Sequence, residues 1–166
     1  MSLQTGIPVK KIEAILEEVT DPEVPVLSVM DLGIVRGINI HNDEVEVVIT
    51  PTYSGCPAMD AIRMNIRMAL LQHGFQQIKI TTVLSPAWTT DWMSEAGKKK
   101  LAEYGIAPPN PKQQVCDQQL FAEEVIQCPH CQSHHTRRVS EFGSTACKAL
   151  YQCNDCHEPF DYFKCH

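Results

Sequence analysis

Cys128-Pro-His-Cys131 and Cys153-Asn-Asp-Cys156 are two CxxC pairs separated by 21 residues. Each pair can wrap one turn of backbone around a metal ion, and the intervening segment is long enough for a β-hairpin that brings the pairs together. Zn²⁺ accepts four thiolates tetrahedrally with no d-electron preference, so this spacing predicts a closed, structural zinc ribbon built on Cys128, Cys131, Cys153 and Cys156. Four thiolates also suit mononuclear iron or an iron–sulfur cluster, with zinc the favoured occupant. The module has a reason to need metal. Residues 128–166 number 39, below the roughly 40 at which a chain folds without a metal or a disulfide. Their apolar content is thin, so the metal is expected to supply much of the folding free energy.

The remainder is long enough for one ordinary domain: the chain has 166 residues, 43% of them hydrophobic. No apolar run approaches a membrane span, and the first residues lack the basic-then-apolar pattern of an export signal. Eight cysteines without such a signal point to a reducing cytoplasm, where thiols hold metal or react. The net charge of −6 is spread unevenly. Residues 1–105 carry 9 basic and 13 acidic side chains, and residues 128–166 carry 4 of each. A zinc ribbon that binds nucleic acid needs a basic face, so nucleic acid is disfavoured as a partner.

Ahead of the ribbon, the periodicity predicts the order α-β-β-α-β-α. Residues 8–19 repeat Ile12, Ile15, Leu16 and Val19 at helical spacing, and the prolines of Thr20-Asp-Pro-Glu-Val-Pro25 then enforce a rigid loop. Residues 32–40 and 45–50 read as a hairpin around His41-Asn-Asp-Glu44. A helix follows from Pro57 to about His73, with Gly74 as its stop, and residues 76–84 read as a third strand. Thr90 or Asp91 can cap a last helix that turns Met93, Ala96, Leu101 and Tyr104 inward. This pattern predicts a two-layer α/β domain with a three-stranded mixed sheet over residues 1–105. Ala107-Pro-Pro-Asn-Pro111 and the glutamines after it predict a linker over 106–127, and the ribbon completes the chain.

Cys56 is the second thiol of interest. Pro57 suits the first position of a helix, which puts Cys56 at its N-cap. A sulfur there faces unpaired backbone N–H groups and the positive end of the helix dipole, a setting that favours its anionic form. The alternative is a buried cysteine packing as a small hydrophobe. Asp21, Glu23, Asp31, Thr50 and Thr52 lie in loops or strand ends that such a sheet could gather on one edge beside Cys56, as a metal- or cluster-receiving edge. Turn and cap chemistry explains Asp21 and Asp31 equally well. Cys147 and Cys165 are additional thiols near the ribbon, either of which could be a packing residue. Trp88 and Trp92 fit core filling or an aromatic partner surface.

Asp21-Pro-Glu-Val-Pro25, Asp31-Leu-Gly33 and Thr50-Pro-Thr-Tyr-Ser-Gly-Cys-Pro57 together resemble the SufT-like family of iron–sulfur assembly domains, whose motif cysteine falls at Cys56. Pro86-Ala-Trp-Thr-Thr-Asp-Trp-Met93, Glu141-Phe-Gly-Ser-Thr-Ala-Cys-Lys-Ala-Leu-Tyr151 and Glu158-Pro-Phe-Asp-Tyr-Phe-Lys-Cys165, with the appended ribbon, resemble the PaaD family of phenylacetate-degradation proteins. The resemblance implies an accessory role with the multicomponent phenylacetyl-CoA epoxidase. The partners would be its oxygenase components or its iron–sulfur reductase, and the cofactors structural zinc with a transient iron or iron–sulfur cluster. The residues agree in part: there is no Glu-x-x-His pair for a di-iron site and no Gly-x-Gly-x-x-Gly for a flavin or nicotinamide. A maturation factor acting through Cys56 is therefore expected rather than a catalytic component. The alternatives are a thiol-dependent enzyme using Cys56, or a zinc-stapled structural subunit. A homodimer is compatible with each.

Overall fold

The computed structural model describes residues 9–109 and 125–164. Cys116, Cys165 and most of the expected linker lie outside the described residues. Two compact units emerge: the first runs to Trp88 and takes in Trp92–Ser94, and the second holds Thr89–Asp91 and the chain from Glu95 onward. The expected domain boundary at residue 105 thus falls inside the second unit. Among the described residues no helix is long and apolar enough to cross a membrane.

In the first unit, helix α1 (Val9–Glu17) buries Ile12, Ile15 and Leu16. Strands β1 (Val35–His41) and β2 (Glu44–Ile49) form an antiparallel hairpin, turned at Asn42 with a positive φ. Helix α2 (Ala58–Gln72) crosses over to β3 (Gln77–Thr82), which pairs with β2 in parallel, giving the mixed sheet β1-β2-β3. Alternation along β2 sends Val45, Val47 and Ile49 into a core shared with Leu16, Ile62, Ile66 and Leu70, all at most 2% exposed. Burying each such side chain stabilises the fold by about 1.5–3 kcal/mol relative to exposure. The other sheet face is polar. There Glu46 meets the Thr81 hydroxyl at 2.7 Å, Lys79 Nζ at 2.9 Å and Asn39 Nδ2 at 3.1 Å. These groups hold its carboxyl down to about 2, Thr81 contributing most.

Two expectations need correcting. The first strand begins at Val35 rather than at residue 32, because residues 28–33 are drawn into a turn. There the Ser28 hydroxyl accepts from Asp31 N–H at 2.9 Å while Asp31 Oδ2 accepts from Ser28 N–H at 3.2 Å. Gly33 ends that turn with φ +67, and a Cβ there would overlap the Trp92 carbonyl. The last helix, α3, spans Glu95–Glu103 and is preceded by a 3-10 turn at Thr90–Trp92. Trp88 Nε1–H donates to Leu32 O at 2.8 Å, and Ser94 is tied to Asp31 through both its backbone N–H and its hydroxyl. Those anchors hold residues 88–94 as a loop, so the helix starts after them. Its buried positions are Gly97 and Leu101, four apart, whereas Ala96 and Tyr104 face outward.

The second unit is built on a four-stranded sheet in the order β4-β7-β6-β5. Strands β5 (Thr136–Ser140), β6 (Lys148–Cys153) and β7 (Pro159–Phe163) are antiparallel neighbours, and β4 (Ile106–Ala107) adds to β7 in parallel. The expected hairpin is therefore two strands of four, and the start of the expected linker is a strand of this sheet. Ala107, Ile126, Cys128, Ala149, Tyr151, Cys153, Phe160 and Tyr162 make one core. Tyr151 stacks on Phe160 at 5.9 Å and meets Tyr162 edge-on at 5.6 Å between centroids. Edge strand β5 carries Arg137 and Arg138, charges that discourage further strand addition.

Candidate metal centre and thiol edge

The ribbon's two knuckles repeat one local design. In each CxxC the first cysteine's N–H donates to the carbonyl five residues on: Cys128 to Ser133 at 2.8 Å, Cys153 to Glu158 at 3.0 Å. The residue after each pair takes a left-handed backbone, Gln132 with φ 64 and His157 with φ 65. This curl turns backbone N–H groups onto sulfur, from Ser133 to Cys131 and from Glu158 to Cys156.

The four sulfurs converge, all within 4.8 Å of one another, and none is in a disulfide. Cys128 Sγ lies 3.8 Å from Cys156 Sγ, and Cys131 Sγ 3.5 Å from Cys153 Sγ. A tetrahedron with metal–sulfur arms of about 2.3 Å has edges of ~3.8 Å, so the donor set fits one four-coordinate ion. Ionisation without metal is uneven. N–H groups of Cys156 and Asp155 draw the Cys153 thiol down to about 7. At Cys156 the Glu158 N–H favours thiolate, but desolvation and the neighbouring sulfurs outweigh it and push the thiol up to about 12. Cys131 is raised for the same reasons, against the pull of the Ser133 N–H. A dication reverses this mutual suppression.

Sequence reasoning missed a clasp between the knuckles. The Ser133 hydroxyl donates to Asp155 Oδ2, His135 Nδ1 lies 3.1 Å from Asp155 Oδ1, and Asn154 N–H donates to His135 O at 2.8 Å. The Ser133 hydroxyl and then His135 hold the Asp155 carboxyl below its ordinary range. The available signal was an acid inside the second CxxC. Because Asp155 N–H also serves Cys153, the clasp helps position a ligand. Cys147 is not one of the converging sulfurs: it is buried, with Thr145 Oγ1 at 3.0 Å.

In the first unit Cys56 is half-buried and free. It closes a turn in which its N–H donates to Tyr53 O at 3.3 Å, with Gly55 at φ +84. The helical run starts at Ala58 with Pro57 in the capping position, one residue later than expected, and no side chain caps it. Cys56 still sits at the helix mouth, and its carbonyl accepts from Met59 N–H at 3.3 Å.

The carboxylates expected beside it have other employment. Asp21 Oδ1 accepts from Glu23 and Val24 N–H at 2.7 and 2.9 Å, and Asp31 holds Ser28 and Ser94. Both are buried. Thr52 and Glu23 are half-buried. Thr50 is 1% exposed, and its Oγ1 has no hydrogen-bond partner. Among the described residues, the ribbon cysteines are the group of three or more convergent donors, so Asp21, Glu23 and Asp31 do not assemble one around Cys56. Trp88 fills core, and Trp92 stacks under the Arg36 guanidinium at 3.5 Å from its centroid.

Residues 10–79 match the model of an iron–sulfur cluster assembly protein family, and residues 112–164 match the PaaD zinc beta ribbon domain. A protein of Escherichia coli (strain K12), provisionally named as a 1,2-phenylacetyl-CoA epoxidase subunit, is 48% identical over 157 residues, covering 95% of this chain and 93% of that one. The chain belongs to the PaaD family. Beyond the PaaD family, an Fe-S protein maturation auxiliary factor of Porphyromonas gingivalis (strain ATCC BAA-308 / W83) is 38% identical over 88 residues, 52% of this chain and 83% of its own. A crystal structure of a DUF59 domain from Bacillus anthracis superposes with a TM-score of 0.52 at 28% identity, covering 55% of this chain and 89% of that one. The PaaD-type ribbon is thus joined to an assembly domain that other proteins possess without it.

Proposed function

We propose that this chain is a non-catalytic maturation factor that delivers iron or an iron–sulfur cluster to a phenylacetyl-CoA epoxidase or its reductase. The observation that carries the reading is the union, in one chain, of an assembly-family domain with a free thiol at a helix mouth and a PaaD ribbon. Cys56 is the thiol that receives and passes on the metal. Its half-buried position at the mouth of α2 gives a cargo atom access to the sulfur. Asp21 and Asp31 act by shaping the loops around it. Thr50 and Thr52, in the strand-to-helix connection, complete the edge. The ribbon holds one zinc ion structurally, because four protein thiolates leave no coordination position open for chemistry.

The test is Cys56→Ser in cells that depend on this protein for epoxidase activity, with the iron content of each purified component measured. Maturation predicts loss of activity and of iron in one component, with the variant folded and its ribbon metal retained. Full activity and full iron content would refute it. A second reading, a stoichiometric structural subunit, is favoured by the name of the Escherichia coli relative, which makes that protein part of the epoxidase itself. It predicts co-elution with the epoxidase at fixed ratio and indifference to Cys56→Ser.

A further inference from the structure

Helix α2 leaves an apolar ridge in solvent. Met64, Met68 and Leu71 are 58%, 47% and 41% exposed, and their spacing of four and three residues aligns them along one face. The opposite face, Ile62, Ile66 and Leu70, fills the core, so the ridge is surplus to folding. Methionine adapts its shape to a partner surface, which is why it recurs at docking faces.

The flanks of the ridge differ. At 100° per residue, Arg63 and Arg67 line one side, with Asp60 on that same side one turn before the ridge, while Ala61, Asn65 and Gln72, all uncharged, line the other. Neither arginine makes an ion pair among the described residues. Two exposed, unpaired cations beside an apolar ridge stand out on a chain of net charge −6.

A second copy is a poor occupant. A two-fold axis relating two antiparallel α2 helices brings both arginine flanks to the same side, like charge against like. A parallel pair sets each arginine flank against the uncharged one. With the ridges opposed, Asp60, one turn before Met64, comes level with neither Arg63 nor Arg67 of the other copy in either arrangement.

We infer that the outward face of α2 is a docking surface for an acidic amphipathic segment of a partner protein, one with an apolar ridge and carboxylates along a single flank. Arg63 and Arg67 select the partner by charge, and Met64, Met68 and Leu71 supply the desolvated contact. The inference rests on the maturation reading only in expecting that partner to be an epoxidase component. Since α2 begins two residues after Cys56, a client seated on this face lies along the same helix that carries the thiol at its mouth.

The experiment uses the full chain labelled at its six methionine methyl groups, with Met93, 3% exposed, as internal reference. The probes are purified epoxidase components and two synthetic helical peptides that share one leucine ridge, flanked by Glu in one and Lys in the other. The expected result is that one component and the Glu peptide shift the Met64 and Met68 signals but not Met93, while the Lys peptide shifts nothing. Arg63→Glu with Arg67→Glu should weaken the Glu peptide about tenfold and admit the Lys peptide.

Equal response to both peptides, or Met64 and Met68 signals that move with protein concentration alone, overturns the inference. A component that binds while leaving Met64 and Met68 unchanged also overturns it and leaves the maturation reading standing. If the Glu peptide binds as stated but no component does, the surface stands and the epoxidase assignment falls.

Discussion

Acidification should strip the ribbon of its metal more steeply than a single titrating ligand would allow. Metal binding requires thiolates, so every thiol still protonated in the free ribbon must surrender a proton on binding. At pH 7 Cys156, pushed up to about 12, and Cys131, raised in the same direction, each surrender one. Cys153, drawn down to about 7, surrenders about half. Near neutrality the affinity should therefore fall at least about a hundredfold per pH unit. Below pH 6, where free Cys153 is also protonated, the fall should be at least about a thousandfold per unit. The sign follows from the thiols: protons compete with metal, so the bound form is favoured as pH rises and lost as pH falls. A competing chelator titrated at pH 7.5, 7.0, 6.5 and 6.0 gives the slope. Calorimetry in buffers of different ionisation enthalpy counts the protons directly. A tenfold change per unit, release of one proton or fewer, or a metal-to-protein ratio other than one would refute the four-thiol geometry.

Other outcomes follow from particular residues. Gly33→Ala and Gly55→Ala both force alanine into a left-handed backbone, but only Gly33 faces a backbone carbonyl, that of Trp92. Urea unfolding should show Gly33→Ala losing about 3 kcal/mol and Gly55→Ala about 1 kcal/mol; equal losses would deny the close approach at Trp92. His157→Gly relieves a left-handed non-glycine residue beside the second knuckle. It should raise ribbon stability by about 0.5 kcal/mol, seen as a later chelator-induced transition. Glu46 sits at about 2 in the folded state against an ordinary 4.5. Its contribution is fully present above pH 4.5 and disappears as pH falls toward 2. Glu46→Gln should remove that part of the acid dependence of the urea midpoint, and an unchanged profile would mean the polar cluster on the sheet does not hold together in solution.

The site with the sharpest sequence signature was the one that local chain geometry can build. A CxxC pair closes within a single turn, so Cys128, Cys131, Cys153 and Cys156 announced both the converging sulfurs and the module, and the fold only had to bring two such turns together. The same holds for the β1-β2 hairpin and for α2, where alternation, helical spacing and Gly74 act within a few residues of one another. What depended on distant partners was not legible. Asp31 could have been a ligand or a cap until Ser94, 63 residues away, was seen to hold it. That contact and the Trp88–Leu32 bond also explain why α3 starts at Glu95, four or five residues after the capping signal at Thr90 and Asp91. Ile106 and Ala107 read as linker because a two-residue strand has no period of its own. Only β7, more than fifty residues later in the chain, gives them a partner to pair with. Composition and local spacing thus determined the metal site, the mixed sheet and the position of Cys56 at a helix mouth. Tertiary structure decided which polar groups were already engaged, because a carboxylate's role is set by the donors that reach it and those donors come from elsewhere in the chain.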